Sequence, residues 1–232
     1  MHRSRKADVP KKFSKPPPKK ILVVDDHPIM RQGLAQLIEA EPDLAVCGQA
    51  ENAFAALEAI GVLHPDLVLA DISLPGKSGL ELIKDIQAMY PGLTVLVISM
   101  HDEAIYAERV LRAGGRGYIM KQEGGKKLMQ AIRQVLNGQI YVSEKISSKI
   151  LEIFSGRRGE SASPIEKLTD REFEVFQLIG QGNETRAIAE KLHLSVKTVE
   201  VHRANIKEKL QIKSATELIR YAVRWTESQA SS

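Results

Sequence analysis

From Ile21 to Asn137 the chain alternates five times between a short apolar run and an amphipathic stretch, and this rhythm limits the folds open to it. The runs are ILVVDD (21–26), LAVCGQA (44–50), LVLADI (67–72), TVLVISM (94–100) and GYIMK (117–121). Stretches such as 67–69 and 95–98 are apolar without interruption, as expected of strands covered on both faces. Helical spacing predicts helices between them at about 28–40, 52–62, 78–89, 103–113 and 124–137; Leu34, Leu37 and Ile38 form the apolar stripe of the first. Gly114-Gly115 and Asn137-Gly138 read as helix stops. Five strand/helix units in succession predict an α/β domain over 20–138, a doubly wound five-stranded parallel sheet.

The pattern then changes. Residues 139–165 read as a linker, in which an amphipathic piece (Ile146, Ile150, Ile153, Phe154) runs into SGRRGESASP. From 166 to 228 there are helix signals only, so an all-α domain of four helices is expected. Thr169-x-x-Glu172 opens a helix to about Gln181 with a capping box, a second covers about 185–192, Ser195 caps a third to about Leu210, and Ser214-x-x-Glu217 caps a fourth to about Trp225.

Residues 1–19 have no apolar periodicity and contain a Pro run, which predicts a disordered basic tail: a solvated arm or a DNA-contacting one. Residues 1–20 hold eight Lys/Arg against one acid, whereas 166–232 hold eleven against ten, so the pI of 9.1 reflects the tail more than either domain. The one cysteine, Cys47, excludes an intrachain disulfide. No apolar run approaches the ~20 residues of a membrane helix. Basic residues near the N-terminus are not followed by the apolar core of a signal peptide, and a cytoplasmic protein is expected.

In a doubly wound sheet, ligands bind beyond the carboxyl ends of the strands. Asp25 and Asp26 stand at the end of the first strand, Asp71 of the third, Ser99 of the fourth and Lys121 of the fifth, so these residues should converge on one edge. Three carboxylates so close need a cation among them, and hard oxygen ligands favour Mg²⁺. A carboxylate neutralised in this way can act as a nucleophile toward phosphorus, with Lys121 balancing the transferred charge.

The segments carrying these residues, VVDD, DISLPGKSG (71–79), ISM (98–100) and GYIMK, resemble the receiver domain of two-component response regulators, in order and across 21–138. The resemblance implies that Asp71 is the phosphoacceptor. It implies that Asp26 binds Mg²⁺ directly, Asp25 directly or through water, and Ser73 by its backbone carbonyl. Ser99 would hydrogen-bond the phosphoryl oxygen, Pro75 and Gly76 would shape the loop, and Tyr118 would be the switch aromatic, although a packing role suits Tyr118 equally. His27 and His101, beside the cluster, are given no metal role.

An enzyme is not expected. Aspartate-nucleophile phosphatases carry, by family resemblance, a second acid two residues after the nucleophile, where this chain has Ser73, and no ATP-binding glycine loop is visible.

Residues 166–226 resemble the LuxR-type helix-turn-helix of NarL/FixJ response regulators. Ile188, Ala189 and Leu192 are core positions of the supporting helix, and Ser195 starts the recognition helix. Placing Val199, Ile206 and Leu210 inward turns Lys197, Glu200, Val201 and Ala204 outward, with Glu208 farther along and Arg203 and Lys207 on the flanks. A major groove accepts such a helix. The last helix carries Ala215, Leu218, Ile219, Ala222 and Val223, a stripe for pairing two domains, for intradomain core, or for both. The expected protein is a transcription regulator, loaded by a sensor histidine kinase or a small phosphodonor and working as a homodimer on DNA, with no membrane partner. The alternative is a receiver-type adaptor whose helical domain binds protein instead of DNA.

Overall fold

The computed structural model describes residues 16–148 and 164–230. Most of the basic tail and of the linker lies outside the described residues.

Five parallel strands run β1 (Lys19–Val24), β2 (Leu44–Ala50), β3 (Leu67–Ala70), β4 (Thr94–Ser99) and β5 (Gly117–Met120), in the sheet order β2-β1-β3-β4-β5. The helices between and after them are α1 (Pro28–Glu39), α2 (Ala53–Leu63), α3 (Gly79–Met89), α4 (Glu103–Ala113) and α5 (Gly124–Leu136). Alternate strand residues feed two cores. Ile21, Val23, Leu67 and Leu69 pack with Leu34 and Ile38 of α1 and Leu128 and Ile132 of α5. Leu22, Val24, Val68 and Ala70 pack under α2, α3 and α4. This is why the central runs have no polar alternation.

Several boundaries differ from the sequence expectation. β1 stops at Val24 and β3 at Ala70, the last pair in register, so Asp25, Asp26 and Asp71 lie just beyond the strands. β4 ends at Ser99 and β5 at Met120, so Lys121 opens a short 3₁₀ turn. The chains diverge at this edge, and apolar content alone does not mark where pairing ends. Tyr141, in the stretch expected as linker, lies beside β5: its carbonyl accepts from Tyr118 N–H at 2.9 Å and its N–H donates to Arg116 O at 3.0 Å.

The C-terminal helices are α6 (Asp170–Gly180), α7 (Thr185–Lys191), α8 (Val196–Lys209) and α9 (Ala215–Ala230). The Thr169/Glu172 capping box forms with both reciprocal bonds, and Ser195 Oγ accepts from Thr198 N–H at 3.0 Å. α9 runs past Trp225, whose ring packs edge-on against Phe173 and Phe176. The aromatics Tyr106, Phe173 and Phe176 are wholly enclosed, and the core beneath α4 continues without a break into that of the helical domain.

Candidate functional site

The loops after β1 and β3 and the turn after β5 assemble the acidic edge. Asp25 is fully buried and Asp71 nearly so. Lys121 Nζ reaches both, at 2.6 Å from Asp25 Oδ2 and 2.7 Å from Asp71 Oδ2. Burial pushes the Asp71 carboxyl above the usual range against the pull of Lys121. Burial also opposes the charge of Lys121, but Asp71 and Asp25 outweigh it and the ammonium is held more tightly protonated. Asp71 Oδ1 accepts from Ser73 N–H at 3.3 Å, and Asp25 Oδ1 from His27 N–H at 2.9 Å. Gly79 allows α3 to start against the acceptor, since a Cβ there would stand 2.1 Å from Asp71 O.

A divalent cation fits this donor set. One ligand atom from each of Asp25, Asp26, His27 and Asp71 lies within 4.8 Å of the others. Asp26 Oδ1 is shielded from solvent and makes no hydrogen bond; His27 Nδ1 is 2.7 Å away but out of line for one. A solvent-shielded oxygen left this way is a group that a hard cation would satisfy.

Ser99 is buried at the end of β4, and its Oγ accepts from His101 N–H at 3.2 Å. Tyr118 points inward and donates its hydroxyl to His101 O at 2.8 Å; burial raises its pKa. His101 Nε2 shares a 2.9 Å hydrogen bond with Ser73 Oγ. The sequence places His101 beside the cluster but not in these contacts, because a lone histidine after a strand carries no pattern of its own.

In the helical domain, the turn between α7 and α8 is closed by Leu194 N–H to Ala189 O at 2.8 Å, with His193 left-handed at φ 52°. Ile188, Ala189, Val199 and Ile206 are buried, while Leu192 and Leu210 are half-buried. Lys197, Glu200, Val201, Ala204 and Glu208 are exposed together, and Arg203 and Lys207 are half-buried on the flanks. The stripe of α9 divides: Leu218 and Ala222 are core, whereas Ala215 and Ile219 face outward.

The two domains meet through α4 and α6. Lys84 and Arg109 pair with Asp170 at 2.6 and 3.2 Å, and Arg109 also donates to the carbonyls of Ile165 and Leu168. Tyr106 Oη donates to Gln177 Oε1 at 2.5 Å. Arg171 donates to Glu174 Oε2 at 2.6 Å, to Gly76 O at 2.9 Å and to Leu192 O at 2.8 Å, which ties the loop after β3 to the helix-turn-helix. Glu174 Oε1 has no partner, and burial pushes this carboxyl up to about 7 despite Arg171. Between the domains lies a cleft of about 440 Å³, with Asp26, His27 and Ser73 on one wall and Arg171, Glu174 and Lys191 on the other. None of these contacts was legible in sequence. Arg171 and Glu174 stand three residues apart on α6, and nothing in that spacing marks them as interior.

Among the described residues, no helix is long and apolar enough to cross a membrane. Residues 21–133 match the response regulator receiver domain and residues 166–222 the bacterial regulatory proteins of the luxR family. The chain is 35% identical over 210 residues to the oxygen regulatory protein NreC of Staphylococcus carnosus, covering 88% of this chain and 97% of that protein. RcsB from Salmonella enterica serovar Typhimurium, in a structure bound to promoter rprA with the phosphomimetic BeF3−, superposes with a TM-score of 0.60 at 26% identity over 89% of this chain and 98% of RcsB. A LuxR-family response regulator from Aurantimonas sp. SI85-9A1 is 34% identical with a TM-score of 0.55, covering 60% of this chain and 99% of that one. The chain therefore belongs to the NarL-family two-component response regulators, with a receiver domain followed by a LuxR-type DNA-binding domain.

Proposed function

We propose that Asp71 accepts a phosphoryl group from a sensor histidine kinase or a small phosphodonor, and that this modification governs sequence-specific DNA binding by a homodimer in the cytoplasm. The observation that carries the reading is the buried Asp71 carboxylate, set 2.7 Å from the Lys121 ammonium beside Asp25. A carboxylate oxygen of Asp71 attacks phosphorus, and the bond from phosphorus to the donor's imidazole or acyl oxygen breaks. Lys121 offsets the charge that arrives, and the Ser99 hydroxyl at the end of β4 donates to a phosphoryl oxygen. Mg²⁺, held by Asp26, Asp71, the Ser73 carbonyl and Asp25 directly or through water, would neutralise the phosphoryl oxygens.

The division of labour is a receiver over 20–138, a linker over 139–165 and a DNA-binding unit over 166–228, with residues 1–19 as a basic arm. Lys197, Glu200, Val201, Ala204, Arg203 and Lys207 face the DNA, and Tyr118 follows Ser99 in the switch. The test is incubation with an acyl phosphate. Wild type should gain one alkali-labile, hydroxylamine-sensitive phosphoryl group only with Mg²⁺ present, and Asp71→Asn should gain none. Undiminished labelling of Asp71→Asn would overturn the assignment.

A further inference from the structure

We propose that His101 is the positioning residue that couples the state of Asp71 to the grip of the receiver on the helical domain; this rests on the function proposed above. Three groups around the acceptor end on this one residue. Its N–H donates to Ser99 Oγ at 3.2 Å, its carbonyl accepts from Tyr118 Oη at 2.8 Å, and its Nε2 shares a 2.9 Å bond with Ser73 Oγ. Ser73 in turn donates its N–H to Asp71 Oδ1 at 3.3 Å. On its other side the His101 ring lies 5.0 Å from the ring of Tyr106, tilted by 35°. Tyr106 is wholly enclosed, packs edge-on 5.6 Å from Phe173 of α6, and gives its hydroxyl to Gln177 of α6. A continuous path of contacts thus runs Asp71, Ser73, His101, Tyr106, Gln177, across the domain boundary.

A phosphoryl group on Asp71 brings new acceptor oxygens within reach of Ser99 and draws on the Ser73 loop. Ser99 turning toward them leaves the His101 N–H, and movement of Ser73 strains the bond to Nε2. The imidazole is then free to shift against Tyr106. Tyr106 has no space to absorb that shift, so the bond to Gln177 is the element that gives. The DNA-reading side chains Lys197, Glu200, Val201 and Ala204 are exposed while this contact is intact. Control along this path therefore sets the placement of α6 and the helices packed on it, not the covering of the reading face.

The experiment uses the full chain and the variants His101→Ala, His101→Asn and Tyr106→Phe, the last of which removes only the hydroxyl that reaches Gln177. Two quantities are read: phosphoryl incorporation from a saturating acyl phosphate with Mg²⁺, and Kd for a DNA fragment selected by phosphorylated wild type, with and without phosphorylation. In wild type the ratio of the two Kd values should lie in the range of ~5- to 150-fold. His101→Ala and Tyr106→Phe should shrink that ratio by roughly fivefold or more, by tightening binding of the unphosphorylated form, with incorporation within about twofold of wild type. His101→Asn, which keeps a hydrogen-bonding group for Ser73, should recover part of the ratio. A wild-type ratio in both His101→Ala and Tyr106→Phe overturns the inference. So does a loss of incorporation in both, which would place His101 in the phosphoryl chemistry itself. Wild type that takes no phosphoryl group, or binds DNA equally with and without it, fails the proposed function and takes this inference with it.

Discussion

The guanidinium of Arg109 lies 4.0 Å from the centroid of the Phe173 ring, so a receiver cation sits on an aromatic of the DNA-binding domain. The same group pairs with Asp170 at 3.2 Å and donates to the carbonyls that lead into α6. Arg109 is mostly buried by these contacts, so its charge is matched by partners rather than by water.

Arg109→Ala should therefore loosen the docking more than any exposed substitution on α4. Asp170 keeps Lys84 at 2.6 Å, so its charge remains paired, but two carbonyls lose their donor and the ring loses its cation. The expected loss is about 2–3 kcal/mol of interdomain stabilisation. Calorimetry should show it: unfolding that is coupled in wild type should separate into two transitions in Arg109→Ala, the helical domain melting first. An unchanged single transition would show that Arg109 does not hold the domains together.

The receiver sheet was legible because each strand is covered on both faces and each helix on one, and burial of that kind leaves a period in the sequence. Thr169, Glu172 and Ser195 announced their helices because a cap satisfies bonds within three residues. The domain contact left no such mark. Tyr106 meets Gln177 and Arg109 meets Asp170 across 71 and 61 residues, and no local spacing encodes either pair. The buried polar side of α6, with Asp170, Arg171, Glu174 and Gln177, has the composition of a solvated face, and only the receiver packed over it makes it interior. The acidic edge was readable in its members but not in the Lys121 bridge to both carboxylates, which depends on where β5 ends.

Glu174 makes stability depend on pH. Its carboxyl is raised by burial from an ordinary 4.5 to about 7, with Glu81 and Asp170 adding to the rise and Arg171 opposing it. The folded chain thus holds a proton that the unfolded chain releases between about pH 4.5 and 7, and stability contributed by this group falls as pH rises through that window. Above pH 7 the full cost is present, on the order of 3 kcal/mol for a group so buried. Glu174→Gln should be the more stable protein at pH 8 and lose its advantage at pH 5, measured as the difference in Tm between the two. A difference in Tm that does not change with pH would mean that the carboxyl stays ionised throughout.

The outward face of α8 makes the sharpest prediction about DNA. Val199 and Ile206 are fully buried, which fixes the rotation of the helix, and Val201 is 52% exposed on the side away from them. Val201 can meet a thymine methyl and Glu200 can accept from cytosine N4, so these two should read bases, whereas Lys197 and Lys207 should hold phosphates. Ile219 is 44% exposed on α9 beside the buried Leu218, and in a homodimer it would offer an apolar side chain to a second copy. A pair of copies would place two recognition helices on half-sites about one turn apart, ~10 bp, or a multiple of it. Selection from randomised half-sites should then change at particular base pairs for Glu200→Ala and Val201→Ala, with a loss of roughly 1–3 kcal/mol where a contact is removed. Lys207→Ala should weaken all sequences alike and flatten the salt dependence by about one unit. If Lys207→Ala rewrites the selected motif while Glu200→Ala and Val201→Ala leave it untouched, the helix enters the groove on its Lys207 flank, and the burial of Val199 and Ile206 does not set the reading face.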